Sequence, residues 1–272
     1  RPGGGVVMPR MRLAFILLVA FALRLWGALV QPPADALALS GDQRMYDEVA
    51  WHLASGRGFS VEAEGRTVPT ARPAGPLYVW WLAGIYAIAG HAPEAARVAQ
   101  CVLGTCLCWI LYRLGTGLFG RPVGLLAAAL AAVYPAFIRY GYFGGPAYLL
   151  SENLCIPLLA LSVLSVTEMI RRPTVGRALL VGVTLGLTTL CRGTMLFFPL
   201  ALVAWLAWLR WPWAAVLRMT VVASAAMVLV IAPWTWRNYR MLHHFIPIST
   251  IGGRTAADTT TRRTKTFTLL RI

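Results

Sequence analysis

The chain has 272 residues, of which 58% are hydrophobic and only 13% are charged. A soluble domain carries about twice that share of charged residues, so the composition excludes an ordinary soluble protein and indicates a membrane protein. The net charge of +15 does not indicate nucleic-acid binding, because the basic residues form no stripe interleaved with aromatic side chains. All of these basic residues except Lys265 are Arg, so the informative feature is where the Arg residues fall relative to the apolar runs.

The first apolar run covers residues 13–30 and follows Arg10 and Arg12. It is long enough to span a bilayer as one helix. A cleaved signal peptide is the alternative, since Ala36-Leu37-Ala38 resembles a cleavage site. The run is long for a signal peptide and further spans follow it, so a retained first helix is the favoured interpretation.

Residues 31–75 form the longest polar stretch of the chain. They contain six of the ten acidic residues: Asp35, Asp42, Asp47, Glu48, Glu62 and Glu64. Within this stretch, residues 46–55 are predicted to form a short amphipathic helix that ends at Gly56.

Seven further apolar segments follow this loop. They cover residues 76–90, 94–112, 122–138, 153–170, 178–191, 195–209 and 214–232. The sequence therefore predicts an all-α, polytopic transmembrane helical bundle of about eight helical segments, with a short amphipathic helix in its first outer loop. The predicted organisation is a cytoplasmic N-terminal segment (1–12), a transmembrane domain (13–250) and an atypical, disordered tail (251–272).

The Arg clusters predict the orientation of the bundle. By the positive-inside rule, Arg10/Arg12, Arg171/Arg172/Arg177 and Arg210/Arg218 should be cytoplasmic. The loop 31–75, Glu152 and Arg192 are then expected on the outer side. Three full crossings between residues 76 and 138 would place Asp42 and Glu152 on opposite faces, so one of these segments is expected to be re-entrant or partial. The sequence leaves open which one.

Four charged residues recur where polar loops meet apolar segments: Asp42, Arg72, Glu152 and Arg192. Charges at bilayer depth are costly and usually face a cavity or a partner. A carboxylate can take a proton from a hydroxyl acceptor, and guanidinium groups bind phosphate oxygens well. The alternatives are simpler roles: Asp42 as a solvated loop acid, Glu152 as a helix cap beside Ser151, and Arg192 reaching for the interface.

A series of motifs extends from Asp42 to Gly253. In order they are Asp42 and Tyr46, Leu53 to Phe59, Pro69 to Gly75, Tyr134-Pro135, Leu150-Ser151-Glu152, Leu190-Cys191-Arg192, Ala232 to Asn238 and Pro247 to Thr250. In this order and spacing the chain resembles the polytopic glycosyltransferases of the GT-C superfamily that use polyprenyl-phosphate sugar donors, namely the protein O-mannosyltransferase and aminoarabinose-transferase relatives.

The resemblance implies a role for each of the four charged residues. Asp42 matches the acid of the first loop that acts as the catalytic base. Arg72 and Arg192 match basic residues that contact the donor phosphate, and Glu152 matches an acid with a metal or positioning role. Many relatives carry a second acid where Gln43 stands, so a paired carboxylate is not expected at this position.

The implied function is a membrane glycosyltransferase that transfers a sugar from a polyprenyl-phosphate donor to a hydroxyl-bearing lipid, glycan or protein, with inversion. The expected location is the bacterial plasma membrane, with the active site on the outer face. The sequence establishes no cofactor and leaves open a divalent cation, for which His243 and His244 are weak candidate ligands because adjacent His side chains point apart.

Two features stand against a simple assignment. After Gly253 the chain becomes rich in Thr and Arg, unlike the family, so a truncation or reading-frame change is expected there and the piece need not be active. The rival function is a non-catalytic transporter- or flippase-like subunit. Transporters often show inverted repeats and mid-bilayer polar residues, whereas here no repeat is evident and the polar residues cluster at one face.

Overall fold

The computed structural model describes residues 7–30, 39, 41–72, 75–138 and 145–249. Within these ranges, four helices are long and apolar enough to cross a membrane, and four shorter apolar helical segments accompany them. The predicted all-α, polytopic membrane bundle is therefore confirmed. The predicted tail at 251–272 lies outside the described residues.

The helices are α1 (Val7–Leu25), α2 (Asp42–Ala54), α3 (Pro76–Ala89), α4 (Pro93–Phe119), α5 (Arg121–Val133), α6 (Pro135–Ile138), α7 (Glu152–Arg171), α8 (Val175–Cys191), α9 (Phe198–Trp208) and α10 (Trp213–Leu242). A π-helical turn at Trp26–Val30 extends α1, and a 3-10 helix at Gly193–Phe197 leads into α9. Between α2 and α3 lies an antiparallel hairpin of β1 (Ser60–Ala63) and β2 (Arg66–Pro69), with Ser60 paired to Pro69 and Ala63 to Arg66.

The first loop differs from the sequence prediction in two ways. Helix α2 begins at Asp42, four residues earlier than predicted, and an acidic side chain in the first turn is favourable beside the positive end of the helix dipole. The hairpin was not predicted. Its turn residues Glu64 and Gly65 both have positive φ, as two-residue hairpin turns require.

Helix α4 continues to Phe119, past the predicted end of its apolar segment at residue 112, and includes Gly115 and Gly117, a residue type that favours turns. The missing side chains allow close approach of neighbours. A Cβ at Gly115 would lie 2.9 Å from the Cα of Gly124 on α5, and one at Gly117 would lie 2.6 Å from Nη1 of Arg171. Tertiary packing therefore explains glycines that sequence alone assigns to a turn.

The topology shows which segment does not cross the bundle. At the start of α4, Arg97 Nε donates to the Ala147 carbonyl (3.0 Å) and Gln100 Nε2 to the Pro146 carbonyl (2.9 Å), just before α7 begins. At the opposite end, the guanidinium of Arg171 on α7 donates to the Gly117 carbonyl of α4. Helices α4 and α7 therefore run parallel, and α5, which follows α4 in the chain, runs back along α4.

Both the beginning and the end of α3 lie at the end of the bundle where α4 and α7 begin. Tyr78 donates to Gln100 on α4 (2.6 Å), and Tyr86 donates to Asp47 on α2 (2.5 Å). The segment predicted at 76–90 is therefore the one that does not cross, and Asp42 and Glu152 lie at the same end. We call this the site end of the bundle.

Helices α8 and α10 pack closely through small residues. A Cβ at Gly182 would lie 2.2 Å from the Ala223 carbonyl oxygen, and one at Gly186 would lie 2.7 Å from Cβ of Val230. Glycines four residues apart lie on one helix face and let two helices approach without loss of backbone hydrogen bonds.

We expect Gly182→Ala to destabilise the protein by about 1–3 kcal/mol, because the added methyl group would press against main-chain atoms of α10. Gly176→Ala, on the same helix, is the matched control. A Cβ at Gly176 meets no atom within 4 Å, and Ala is the better helix former. Thermal unfolding in detergent should show a lower midpoint for the first variant and an unchanged or higher one for the second. Equal midpoints would contradict this description of the α8–α10 contact.

Candidate active site

Asp42 lies at the site end as the first residue of α2, and its side chain is exposed. The residues beside it fix this helix end to the loop before α7. Gln43 is buried and its Oε1 accepts a hydrogen bond from the Leu149 amide (3.1 Å). Asp42 is thus a solvent-accessible carboxylate at a helix terminus whose position is fixed by the Gln43–Leu149 hydrogen bond. A general base must be accessible to the acceptor hydroxyl in this way.

Tyr46 connects Asp42 to the loop that carries Glu152. It lies one turn after Asp42, is 3% exposed, and its side chain lies near Ser151. Burial raises the pKa of Tyr46 well above its ordinary value, so its hydroxyl remains protonated and able to donate a hydrogen bond at neutral pH.

Glu152 and Arg192 form a direct ion pair between the first residue of α7 and the residue that follows α8. Arg192 Nη1 lies 2.6 Å from Glu152 Oε1, and the two side chains are 46% and 20% exposed, respectively. The hydrogen bond that Arg192 donates to Glu152 raises the pKa of Arg192. Arg192 thus forms an ion pair with Glu152 rather than only extending toward the membrane interface. The side chain of Ser151 forms no capping hydrogen bond at the start of α7.

Arg72 lies three residues before Gly75, and Gly75 at the start of α3 contacts the end of α8. A Cβ at Gly75 would lie 2.2 Å from the Leu190 carbonyl oxygen and 2.5 Å from that of Cys191, so Gly75 touches the backbone just before Arg192. Three residues span at most about 11 Å, which keeps Arg72 close to the end of α8. Among the described atoms, the buried Nε of Arg72 has no hydrogen-bond partner.

The structure brings all four predicted residues to the site end. As described, Glu152 and Arg192 are in direct contact, whereas Asp42 and Arg72 adjoin the pair through Tyr46 and Gly75. An accessible carboxylate and two guanidinium groups at one end of a bundle are the groups needed to accept a proton from a hydroxyl and to stabilise a departing phosphate. The roles of the four residues remain predictions.

An apolar groove of about 710 Å3 begins one turn after Arg192. The 3-10 helix and α10 form its walls, and its lining includes Leu196, Val228, Ile231, Trp236, Tyr239 and Pro247. A groove of this composition suits a hydrocarbon chain rather than a polar ligand.

A second, polar crevice of about 490 Å3 is lined by side chains of α2 that include Arg44, Glu48 and Trp51, together with His91. At 100° per residue, these α2 residues lie on the face opposite Asp42. Asp47 at this crevice accepts a hydrogen bond from Tyr86 and lies 2.9 Å from Nε2 of His91. These contacts attach α2 to α3, and sequence reasoning had treated Asp47 as one loop acid among six.

The described residues contain no group of three or more His, Cys, Asp or Glu side chains placed to hold a metal ion. His243 and His244 are both exposed at the end of α10, and the structure gives them no third ligand among the described residues. The divalent cation that the sequence left open therefore gains no ligand set here and remains untested.

Comparison with protein families gives a match. The family described as dolichyl-phosphate-mannose-protein mannosyltransferase matches residues 71–236. This range contains Arg72, Glu152 and Arg192, and it ends one residue before Arg237. Comparison with curated proteins found no match.

Proposed function

Because the chain belongs to the dolichyl-phosphate-mannose-protein mannosyltransferase family, and so is a membrane glycosyltransferase of the GT-C type, we propose that it transfers a sugar from a polyprenyl-phosphate donor to a hydroxyl-bearing lipid, glycan or protein. One observation carries the proposal: Asp42, Arg72 and the Glu152–Arg192 pair converge at one end of the bundle.

In the proposed reaction, the carboxylate of Asp42 accepts the proton of the acceptor hydroxyl. The hydroxyl oxygen then attacks the anomeric carbon from the face opposite the phosphate, which inverts the configuration. The bond between the anomeric carbon and the phosphate oxygen breaks, and its electrons leave with polyprenyl phosphate. Arg72 and Arg192 stabilise the negative charge on that leaving group.

Glu152 has a positioning role in this scheme. It contacts Arg192 through one guanidinium nitrogen, and a guanidinium has five N–H donors. Arg192 is half exposed, so its remaining donors are free to bind phosphate oxygens while Glu152 fixes the orientation of the side chain.

The apolar groove accounts for the lipid part of the donor. Its wall at Leu196 lies one turn of chain from Arg192, so a phosphate bound at Arg192 would place the first isoprene units at the entrance. Burial of each CH2 group is worth about 0.8 kcal/mol, so a few isoprene units would contribute substantially to donor affinity.

The site end is proposed to face outward from a bacterial plasma membrane. Arg171, Arg172 and Arg177 lie at the opposite end of the bundle, beside the turn between α7 and α8. Arg121 begins α5 at that same end. Arg residues in short connections between apolar helices are typical of the cytoplasmic face.

The test is a transfer assay with the protein in lipid nanodiscs. A panel of radiolabelled polyprenyl-phosphate sugars is supplied with hydroxyl acceptors, and we expect release of polyprenyl phosphate together with sugar transfer for at least one donor. The same sugars supplied as nucleotide sugars should give no transfer. Folded protein that transfers from a nucleotide sugar, or that neither binds nor cleaves any polyprenyl-phosphate sugar, would contradict the proposal.

A further inference from the structure

Arg237, near the end of α10, reaches back to the first loop. Its Nη1 donates to the Thr70 carbonyl (2.6 Å) and its Nη2 to the Phe59 carbonyl (2.8 Å). The guanidinium also lies over the rings of Phe59 and Trp234, at 5.4 and 4.9 Å from their centroids. One side chain thus contacts the two chain positions that flank the β1–β2 hairpin.

Thr70 connects Arg237 to Arg72 through hydrogen bonds. The Thr70 amide donates to the Phe59 carbonyl (3.1 Å), which closes the base of the hairpin. The Thr70 hydroxyl accepts from the Arg72 amide (3.0 Å). Two hydrogen-bonded steps therefore connect Arg237 to the backbone of Arg72, whose buried Nε has no partner among the described atoms.

Arg237 is itself held by its own helix and by the segment that follows it. Its Nη1 also donates to Asn238 Oδ1 (3.1 Å), and Asn238 Nδ2 donates to the Ile246 carbonyl (3.0 Å). Trp234 Nε1 donates to the Ile248 carbonyl (2.6 Å). The guanidinium is thus a fixed point where α10, the returning segment 246–248 and the hairpin meet.

We propose that Arg237 is a positioning residue that holds Thr70 and Arg72 so that the Arg72 guanidinium faces the donor phosphate. This inference rests on the proposed function, because it assigns Arg237 a role through Arg72 and no contact with substrate. The residue type matters: a planar guanidinium reaches two carbonyls at once, whereas an ammonium group on a flexible stem holds one geometry poorly.

The proposal predicts non-additive effects on donor binding. Polyprenyl phosphate in nanodiscs is the probe, and its dissociation constant is measured for the parent protein, Arg237→Gln, Arg72→Ala and the double variant. We expect each single change to weaken binding about tenfold and the double variant to resemble Arg72→Ala alone, because Arg237 acts through Arg72. A double variant weakened about tenfold more than Arg72→Ala alone would overturn the proposal, since the two residues would then act independently.

Two further variants separate positioning from general stability. Thr70→Val keeps the shape of the side chain and the carbonyl that Arg237 binds, but it removes the acceptor for the Arg72 amide. We expect it to weaken binding like Arg237→Gln, with thermal unfolding close to that of the parent. Arg237→Lys should recover part of the affinity. Parental binding by folded Thr70→Val would overturn the proposed connection even if Arg237→Gln fails to fold.

Arg240→Gln is the matched control. Arg240 lies three residues further along α10 and over the ring of Trp236, but it is exposed. The Arg240→Gln variant should bind polyprenyl phosphate as tightly as the parent protein does. If the folded parent protein does not bind polyprenyl phosphate, the proposed function is contradicted. If the parent binds it but the effects of Arg237→Gln and Arg72→Ala add in the double variant, only the role of Arg237 is contradicted.

Discussion

Asp42→Asn is expected to lower turnover by about a hundred- to ten-thousandfold, the usual contribution of a general base. Asn retains the size of the side chain and its hydrogen bonding but lacks the basic oxygen. Asp42 is exposed at the start of α2, so its replacement should leave helix content, thermal unfolding and donor binding close to the parental values. The measurement is the rate of sugar transfer at saturating donor, beside the affinity for polyprenyl phosphate.

Glu64→Gln is the control for the Asp42 variant. Glu64 lies in the same loop, exposed at the turn of the hairpin, and it should be nearly silent in the same assay. If Asp42→Asn retains near-parental turnover, then Asp42 is not the base. The proposed proton transfer would then need another acceptor, for which Glu152, paired with Arg192 at the site end, is a candidate.

Replacing Arg72 or Arg192 by Ala is expected to weaken polyprenyl-phosphate binding roughly ten- to a hundredfold, because a hydrogen bond to a charged group contributes about 1.5–3 kcal/mol. Lys should restore only part of the affinity, since it keeps the charge but not the planar fork. Arg192→Ala should have the larger effect of the two, because it also leaves the partly buried carboxylate of Glu152 without its ion-pair partner.

Arg66→Ala serves as the control for both arginine variants. Arg66 is exposed on the hairpin at the end remote from Thr70, and its loss changes the net charge by the same amount. Its variant should bind polyprenyl phosphate like the parent. Parental binding by both folded Arg72→Ala and Arg192→Ala would remove the basis for assigning these residues to the donor phosphate.

The sequence alone determined the membrane class, the helical architecture and the segments that supply the site. Apolar runs of a given length are local properties, because a helix satisfies its own backbone hydrogen bonds and must match the lipid around it. The order of the motifs from Asp42 to Gly253 also indicated the family, which the match over residues 71–236 now shows. The four candidate residues could be named because charges are rare beside apolar runs.

Local patterns misplaced some boundaries for a physical reason. Helix α4 runs through Gly115 and Gly117 because close approach of α5 and Arg171 outweighs their weak helix propensity. Helix α10 likewise continues through Pro233 to Leu242. In each case contacts with other parts of the chain, such as that of Trp234 with Ile248, accompany a helix that the local propensity of Gly or Pro would end.

Only the tertiary structure decided that α3 stays at the site end, because that depends on the contacts of Tyr78 and Tyr86 with other helices and not on hydropathy. It also paired Glu152 with Arg192, forty residues apart, and Arg237 with Thr70, 167 residues apart. Contacts across such separations depend on how helices pack and where the chain returns. A single sequence shows which residue types are present, but only the packing of the helices determines which of these residues come into contact.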